Sequence, residues 1–202
     1  MRNSASFSGS PTRLAKSAFS GAQYGGIVLS SVVMLLGPTM DPKAAFNVSM
    51  RLPHLGLRVA EHSRRALAIA ERLRDAGLTV IYPGLPEHPD HALLSRLRNP
   101  EFGFGGVLCL DLGDARRASE FMEILQNKDR FGFMAVSLGY FETLMSSPGA
   151  TTSSELSAGE QRQAGIAPGL VRMSIGYTGT LEQRFKQLQD ALEILNLLPV
   201  RT

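Results

Sequence analysis

The stretch Gly169–Gln183, GLVRMSIGYTGTLEQ, decides the fold, because a strand pattern in it passes directly into the start of a helix. Side chains of a strand point alternately to its two faces. Alternation therefore predicts an apolar core face (Val171, Met173, Ile175 and Tyr177) and a mixed second face (Leu170, Arg172, Ser174 and Gly176). Arg172 fits two interpretations: a guanidinium that holds a carboxylate in a cleft, or an arginine on the wet side of an antiparallel sheet. The pattern alone does not choose between them.

Four stretches predict helices. Asp41 is a suitable N-cap for a helix that begins at Pro42 and runs through KAAFNVSM, until RLPHLG breaks it. A second helix is predicted over RVAEHSRRALAIAERLRDAG, with Gly77 placed to end it, and a third over DARRASEFMEILQNK. The last helix begins at a capping box, Thr180 to Gln183, and carries an apolar stripe at helical spacing.

Four stretches predict strands: LTVIYPG, FGFGGVLCLDL, RFGFMAVSLG and GLVRMSIGY. The two patterns together indicate an α/β fold, in which helices cover a small, about four-stranded, mainly antiparallel sheet. The segment YPGLPEHPDHALLSRLRNPEFG, with its four prolines, is predicted to be a solvated loop. Its His88 and His91 have no carboxylate or thiol cluster beside them, so we expect no metal site.

The composition excludes several functional classes. A chain of 202 residues can bury a real core, and its net charge of +3 is not gathered into a basic stripe, so no nucleic-acid partner is expected. The longest apolar run, GGIVLSSVVMLLGP, is too short to span a bilayer, so no membrane partner is expected. The single cysteine, Cys109, excludes a disulfide within the chain and is interpreted as a core residue in a reducing compartment.

Residues 1–25 are rich in serine, glycine and alanine and contain no acidic side chain. This composition fits a disordered tail, and it is also similar to that of an organellar transit peptide. We therefore expect a cytoplasmic protein, with a plastid or mitochondrial location as the alternative.

Hydroxyl side chains are concentrated in residues 135–156, AVSLGYFETLMSSPGATTSSEL. Ser137 is predicted at the end of a strand and Thr151 in the loop that follows, where their hydroxyls could bond to a ligand. Serine and threonine are also common turn formers, so the pattern leaves a purely structural role open. No histidine lies near Ser137 in the sequence to activate it, and a serine hydrolase is therefore not favoured.

The order of the motifs resembles the Cys/Met-metabolism enzymes that use pyridoxal phosphate, over about residues 31 to 195. The likeness is carried by LLGPTMDPKAAFNVSMRLPHLGLRVAEHSRRALAIAERLRDAGLTVIYPGL, GGVLCLDL, FGFMAVSLGYFETLMSSPGATTSSEL and GIAPGLVRMSIGYTGTLEQ. These stretches resemble the C-terminal half of the family. The resemblance implies the small domain of a fold-type I enzyme at 55–202, a remnant of linker and large-domain helices at 26–54, and a disordered or transit-like segment at 1–25.

The resemblance also implies roles for three residues. Arg172 matches the arginine that binds the substrate α-carboxylate, and Ser137 matches the serine of VSLG beside cofactor and substrate. Thr151 matches a cofactor-proximal threonine in a THSS-like motif, in which Thr152 replaces the histidine. The family's cofactor-binding lysine belongs to the N-terminal half. Lys16, in LAKSAFSG, lies too close to LLGPT to match it, so no catalytic residue is identified.

The activity implied by the resemblance is that of a transsulfuration carbon–sulfur lyase with pyridoxal 5′-phosphate as cofactor. Its substrate is a sulfur amino acid: L-methionine would give methanethiol, 2-oxobutanoate and ammonia, and the full-length protein would be a homo-oligomer. Two alternatives remain open. One is a relative that makes or cleaves cystathionine, and the other is a catalytically inactive fragment that acts as an interaction module.

Overall fold

The computed structural model describes residues 40–198 of the chain. The expectations for residues 1–25, for the run GGIVLSSVVMLLGP and for Lys16 lie outside the described residues. Contacts divide the chain into two compact units, with the boundary after Leu52. The domain limits drawn from the sequence stay predictions.

Helix α1, Pro42–Arg51, belongs to the first unit and begins where the sequence predicts. The Asp41 carboxylate accepts a hydrogen bond from the Ala44 amide (2.9 Å), and proline occupies the first turn, where an amide hydrogen has no helical partner. A 3₁₀ turn, Leu52–His54, follows. The predicted break over RLPHLG is confined to these three residues.

The second unit contains the remaining helices and the sheet. Its helices are α2 (Leu55–Asp75), α3 (His91–Leu97), α4 (Ala115–Glu123, continued by a π-helical stretch, Ile124–Lys128), α5 (Ala158–Gln163) and α6 (Leu181–Ile194). Its strands are β1 (Thr79–Ile81), β2 (Val107–Asp111), β3 (Gly132–Met134), β4 (Thr143–Ser146) and β5 (Leu170–Ser174). Two 3₁₀ turns, Pro100–Phe102 and Pro148–Ala150, lie between these elements.

The five strands form one sheet in the order β1–β2–β5–β4–β3. Neighbouring strands are antiparallel except β3 and β4, which are parallel. The prediction of a mainly antiparallel sheet covered by helices is confirmed, but the predicted count of about four strands is one too low. The additional strand is β4, whose four-residue pattern, TLMS, is too short to stand out beside the turn-forming SSPG that follows it.

The core lies between one face of the sheet and helices α2, α4 and α6. Val171, Met173 and Ile175 are buried in it, as the alternation of β5 predicts. The register places Leu108 of β2 and Met145 of β4 opposite Met173 on the same face. The helices contribute buried side chains to this cluster, among them Ile69, Leu73, Phe121, Leu125, Leu188 and Leu192.

The segment predicted to be a solvated loop is partly helical and partly buried. It contains α3 and the turn Pro100–Phe102, because the run from His91 to Leu97 has no proline and can form a helix. The side chains of Tyr82 and Leu85 are fully buried, and the Tyr82 hydroxyl donates a hydrogen bond to the Gly105 carbonyl (2.8 Å). Burial raises the pKa of Tyr82. Within residues 40–198, no group of three or more His, Cys, Asp or Glu side chains could hold a metal ion.

Two helix ends differ from the prediction. Helix α2 begins at Leu55, three residues before its predicted start, and ends before Gly77, whose φ of +86° suits a left-handed terminator. The Thr180 hydroxyl accepts a hydrogen bond from the Gln183 amide (3.2 Å), which is one half of the predicted capping box. A complete capping box forms instead at α5, between Ser157 and Glu160. None of the described helices has both the length and the apolar character needed to cross a membrane.

Candidate functional site

Arg172 lies in the middle of β5, opposite Cys109 of β2 and Ser146 of β4. Directly opposed residues of antiparallel strands share a face of the sheet, with Cβ atoms about 5 Å apart. The three residues therefore form a row across the middle of the sheet. Because Val171 and Met173 face the helices, this row lies on the opposite face.

The Arg172 guanidinium is available for a ligand. Several arginines of the second unit pair with carboxylates, as Arg65 does with Glu61 (2.6 Å) and Arg184 with Glu142 (2.9 Å). Within residues 40–198, half-buried Arg172 forms neither an ion pair nor a side-chain hydrogen bond. A guanidinium presents a planar fork of donors that matches the two oxygens of a carboxylate. The arrangement is suited to bind a carboxylate ligand.

Cys109 does not have the properties of a nucleophile. Burial raises the pKa of its thiol, and the positive charge of Arg172 offsets only part of that effect. A thiol with a raised pKa remains protonated, and the protonated form is unreactive. The thiol is thus unreactive, but the interpretation of Cys109 as a core residue is wrong, because its half-buried side chain lies on the sheet face opposite the core.

Ser146 is a member of the row that was not predicted. Its side chain is 4% exposed, and its hydroxyl has no hydrogen-bond partner in the described part of the chain. Its place opposite Arg172 follows from the pairing of β4 with β5, which are far apart in the sequence. The only local signal was the short β-prone run TLMS that ends at Ser146.

Ser137 lies in the connection between β3 and β4, residues 135–142, here named the Ser137 loop. Parallel neighbours need a crossover, so this loop has to return from the end of β3 to the start of β4. The Gly139 amide donates a hydrogen bond to the Ser174 hydroxyl (3.0 Å), and Ser174 lies two residues after Arg172 on the same face. The loop therefore passes over β4 on the Arg172 face. The structure brings the loop of Ser137, itself exposed, to the strand of Arg172.

Thr151 directly follows the Pro148–Ala150 turn, which contacts β5. Its side chain is exposed, and its hydroxyl donates a hydrogen bond to the Ser147 carbonyl (2.7 Å). Thr151, Ser146 and Val136 line one cavity of about 330 Å³, together with methionine and alanine side chains. The structure thus brings Thr151 and the residue before Ser137 to one cavity, whereas Arg172 is not among the residues that line it.

Comparison with known proteins relates this arrangement to a family. The family model of the Cys/Met metabolism PLP-dependent enzymes matches residues 18–193. The chain is 57% identical to methionine gamma-lyase of Arabidopsis thaliana over 159 residues, which are 79% of this chain and 36% of that protein. It is 30% identical to cystathionine beta-lyase of Lactococcus lactis subsp. cremoris, over 78% of this chain and 40% of that protein.

A solved structure supports the same relationship. Cystathionine gamma synthase from Xanthomonas oryzae pv. oryzae, in complex with aminoacrylate and cysteine, superimposes with a TM-score of 0.69 at 32% identity. The match covers 81% of this chain and 41% of that one. The chain thus spans about two fifths or less of the length of these relatives. The resemblance stated from the motifs is confirmed, and the chain belongs to the Cys/Met metabolism PLP-dependent enzymes.

Proposed function

We propose that this chain forms the substrate-carboxylate side of a pyridoxal-phosphate-dependent carbon–sulfur lyase that acts on L-methionine. The observation that carries the proposal is Arg172, a half-buried guanidinium without an ion pair in the described residues, in the middle of the sheet face that lies away from the helices. The 57% identity to a methionine gamma-lyase favours methionine among the sulfur amino acids.

In this proposal Arg172 binds the α-carboxylate of the amino acid through two parallel hydrogen bonds. Ser137, on the loop that is hydrogen-bonded to β5, provides a second polar contact beside the same ligand. Two contacts fix the direction of the bonds at the α-carbon, which lowers the entropic cost of reaching the reactive geometry. Thr151 lies near the cofactor. The cofactor, when bound, supplies an electron sink for the charge that develops at the α-carbon.

Residues 53–198 do not fit the covalent anchor of the cofactor. Enzymes of this class hold pyridoxal phosphate through a lysine. The lysines in residues 53–198 are Lys128 and Lys186. Both belong to helical segments that pack on the core face of the sheet, and Lys186 is paired with Asp190 (2.8 Å). Residues 53–198 therefore offer the substrate side of the site and no cofactor anchor beside Arg172.

The test is a titration of the purified full chain with pyridoxal phosphate, followed by absorbance, borohydride reduction and peptide mapping. Because residues 53–198 offer no anchor, the proposal predicts a stoichiometric adduct at a lysine outside them, Lys16 or Lys43, together with release of methanethiol from L-methionine. Arg172→Ala should abolish the release. Arg162→Ala, which removes an exposed arginine of α5, is the matched control and should leave it unchanged. Offering L-cystathionine in the same assay distinguishes a cystathionine-cleaving relative by its products.

A second candidate is a catalytically inactive fragment that acts as an interaction module. It is favoured by the absence of a lysine on the Arg172 face within residues 53–198. A chain that gives no lysine adduct and no methanethiol under these conditions would contradict the lyase proposal for the chain by itself. That result would support the second candidate.

A further inference from the structure

We infer that Ser174 is a positioning residue, whose hydroxyl holds the Ser137 loop in place relative to Arg172. The inference deepens the proposed function and rests on it. It concerns a residue that does not itself touch the substrate, but joins the two groups proposed to hold it.

The geometry of the contact is specific. Ser174 and Arg172 are two residues apart on β5, so their side chains point to the same face. The Ser174 side chain is 2% exposed, and its oxygen accepts the hydrogen bond from the Gly139 amide (3.0 Å). Gly139 adopts a φ of +71°, a conformation that glycine reaches without steric cost.

Both ends of the Ser137 loop are held independently of Ser174. At its start, the Ala135 amide donates to the Met145 carbonyl (2.9 Å). At its end, the Tyr177 amide donates to the Phe141 carbonyl (2.8 Å), and Glu142 pairs with Arg184. Removal of the Ser174 hydroxyl would therefore leave the ends of the loop fixed.

The middle of the loop depends on one bond. Within the described residues, positions 136–140 make a single hydrogen bond, the one from Gly139 to Ser174. The large side chains of this stretch do not anchor it, because Val136, Leu138 and Tyr140 are exposed. Ser137 is two residues from the bonded amide. Its distance from Arg172 is thus set mainly by the Ser174 hydroxyl.

The experiment uses the full chain, labelled with ¹⁵N, and L-methionine as the probe. The Nε–H signal of Arg172 reports the titration, and L-methioninol, which lacks the carboxylate, is the ligand control. In Ser174→Ala we expect the dissociation constant for methionine to rise about three- to tenfold, the range for one lost hydrogen bond. We expect exchange of the Gly139 amide with solvent to accelerate by a similar factor. Ser174→Thr keeps the hydroxyl and should restore both values.

The outcomes separate this inference from the proposed function. If the wild-type chain does not bind methionine, or if Arg172→Ala binds it equally well, the proposed carboxylate site is wrong and the inference falls with it. If binding requires Arg172 but Ser174→Ala binds as tightly as wild type, only the inference is wrong. Should Ser174→Ala fail to fold, Ser174→Cys keeps nearly the same volume with a weaker acceptor. Loss of folding in both variants would identify Ser174 as a structural residue and overturn the positioning role.

Discussion

Gly176 follows β5 at a point where the chain lies very close to the end of the Ser137 loop. A Cβ atom at this position would lie 2.5 Å from the Glu142 carbonyl carbon and 2.6 Å from the Thr143 nitrogen, and it would also contact the Phe141 oxygen. Ordinary contacts begin at 3.4 Å, and backbone atoms cannot turn aside as a flexible side chain can. Gly176→Ala therefore forces two backbone segments apart by roughly 1 Å.

The cost of this separation can be worked from the contacts that hold the segments together. The Gly176 amide donates to the Thr143 hydroxyl (2.9 Å), and the Tyr177 amide donates to the Phe141 carbonyl (2.8 Å). Each of these hydrogen bonds contributes about 1 kcal/mol, and overpacking adds about 1–3 kcal/mol. We expect Gly176→Ala to lower the free energy of unfolding by about 3–5 kcal/mol.

The assay is urea unfolding followed by circular dichroism, at one protein concentration for all variants. Gly159→Ala is the matched control, because the nearest atom to a Cβ there is the Ser157 hydroxyl oxygen at 3.9 Å and the residue lies in helix α5. Alanine at that helical position should raise stability by up to about 1 kcal/mol. A loss below about 1 kcal/mol for Gly176→Ala, with an unchanged denaturant slope, would refute the close approach of the two segments.

Three further changes test other parts of the second unit. Ser146→Ala removes a buried hydroxyl that has no hydrogen-bond partner in residues 40–198, so the free energy of unfolding in urea should be unchanged or rise by up to about 1 kcal/mol. A clear loss of stability would mean that the hydroxyl does form a hydrogen bond. Arg184→Met leaves the mostly buried Glu142 carboxylate without its ion pair and should lower the free energy of unfolding by about 2–4 kcal/mol. Arg184→Lys should recover only part of that loss, because lysine lacks the guanidinium fork, and a full recovery would contradict this role. The pKa of Glu61 is held at about 2, below its ordinary 4.5, chiefly by a hydrogen bond from Arg64. The resulting contribution of Glu61 to the free energy of unfolding is present above pH 4.5 and lost as the pH falls toward 2. Over this pH range Glu61→Gln should therefore lose about 1 kcal/mol less stability than wild type, a figure reduced for screening by solvent. Equal dependence of stability on pH in the two proteins would disprove this.

The residues of β5 were predictable because their pattern is local. Alternation in LVRMS placed Val171 and Met173 in the core and Arg172 with Ser174 on the other face, and the structure has both sets where the pattern predicts. The roles of Arg172, Ser137 and Thr151 came from the resemblance and stay predictions. Neither alternation nor resemblance indicated that Cys109 and Ser146 lie opposite Arg172.

The neighbours of Arg172 could not be predicted because they depend on strand pairing. Ser146 is opposite Arg172 only because β4 lies between β3 and β5. The Ser137 loop reaches Ser174 only because β3 and β4 are parallel, which forces the loop across the sheet. Helix α3 was missed for a different reason: the prolines around it predicted loop for the whole segment, although none lies inside it.

The register of the sheet has a consequence for the order of folding. Gly132 and Thr143, paired between β3 and β4, are 11 positions apart in the sequence, whereas Val107 and Ser174, paired between β2 and β5, are 67 apart. Contacts between distant positions require closure of a longer chain segment and form more slowly. We therefore expect β3 and β4 to associate early and β2 to join β5 late. The row that contains Arg172 spans β2, β5 and β4, so this row is completed only when the slowest pairing in the sheet has formed.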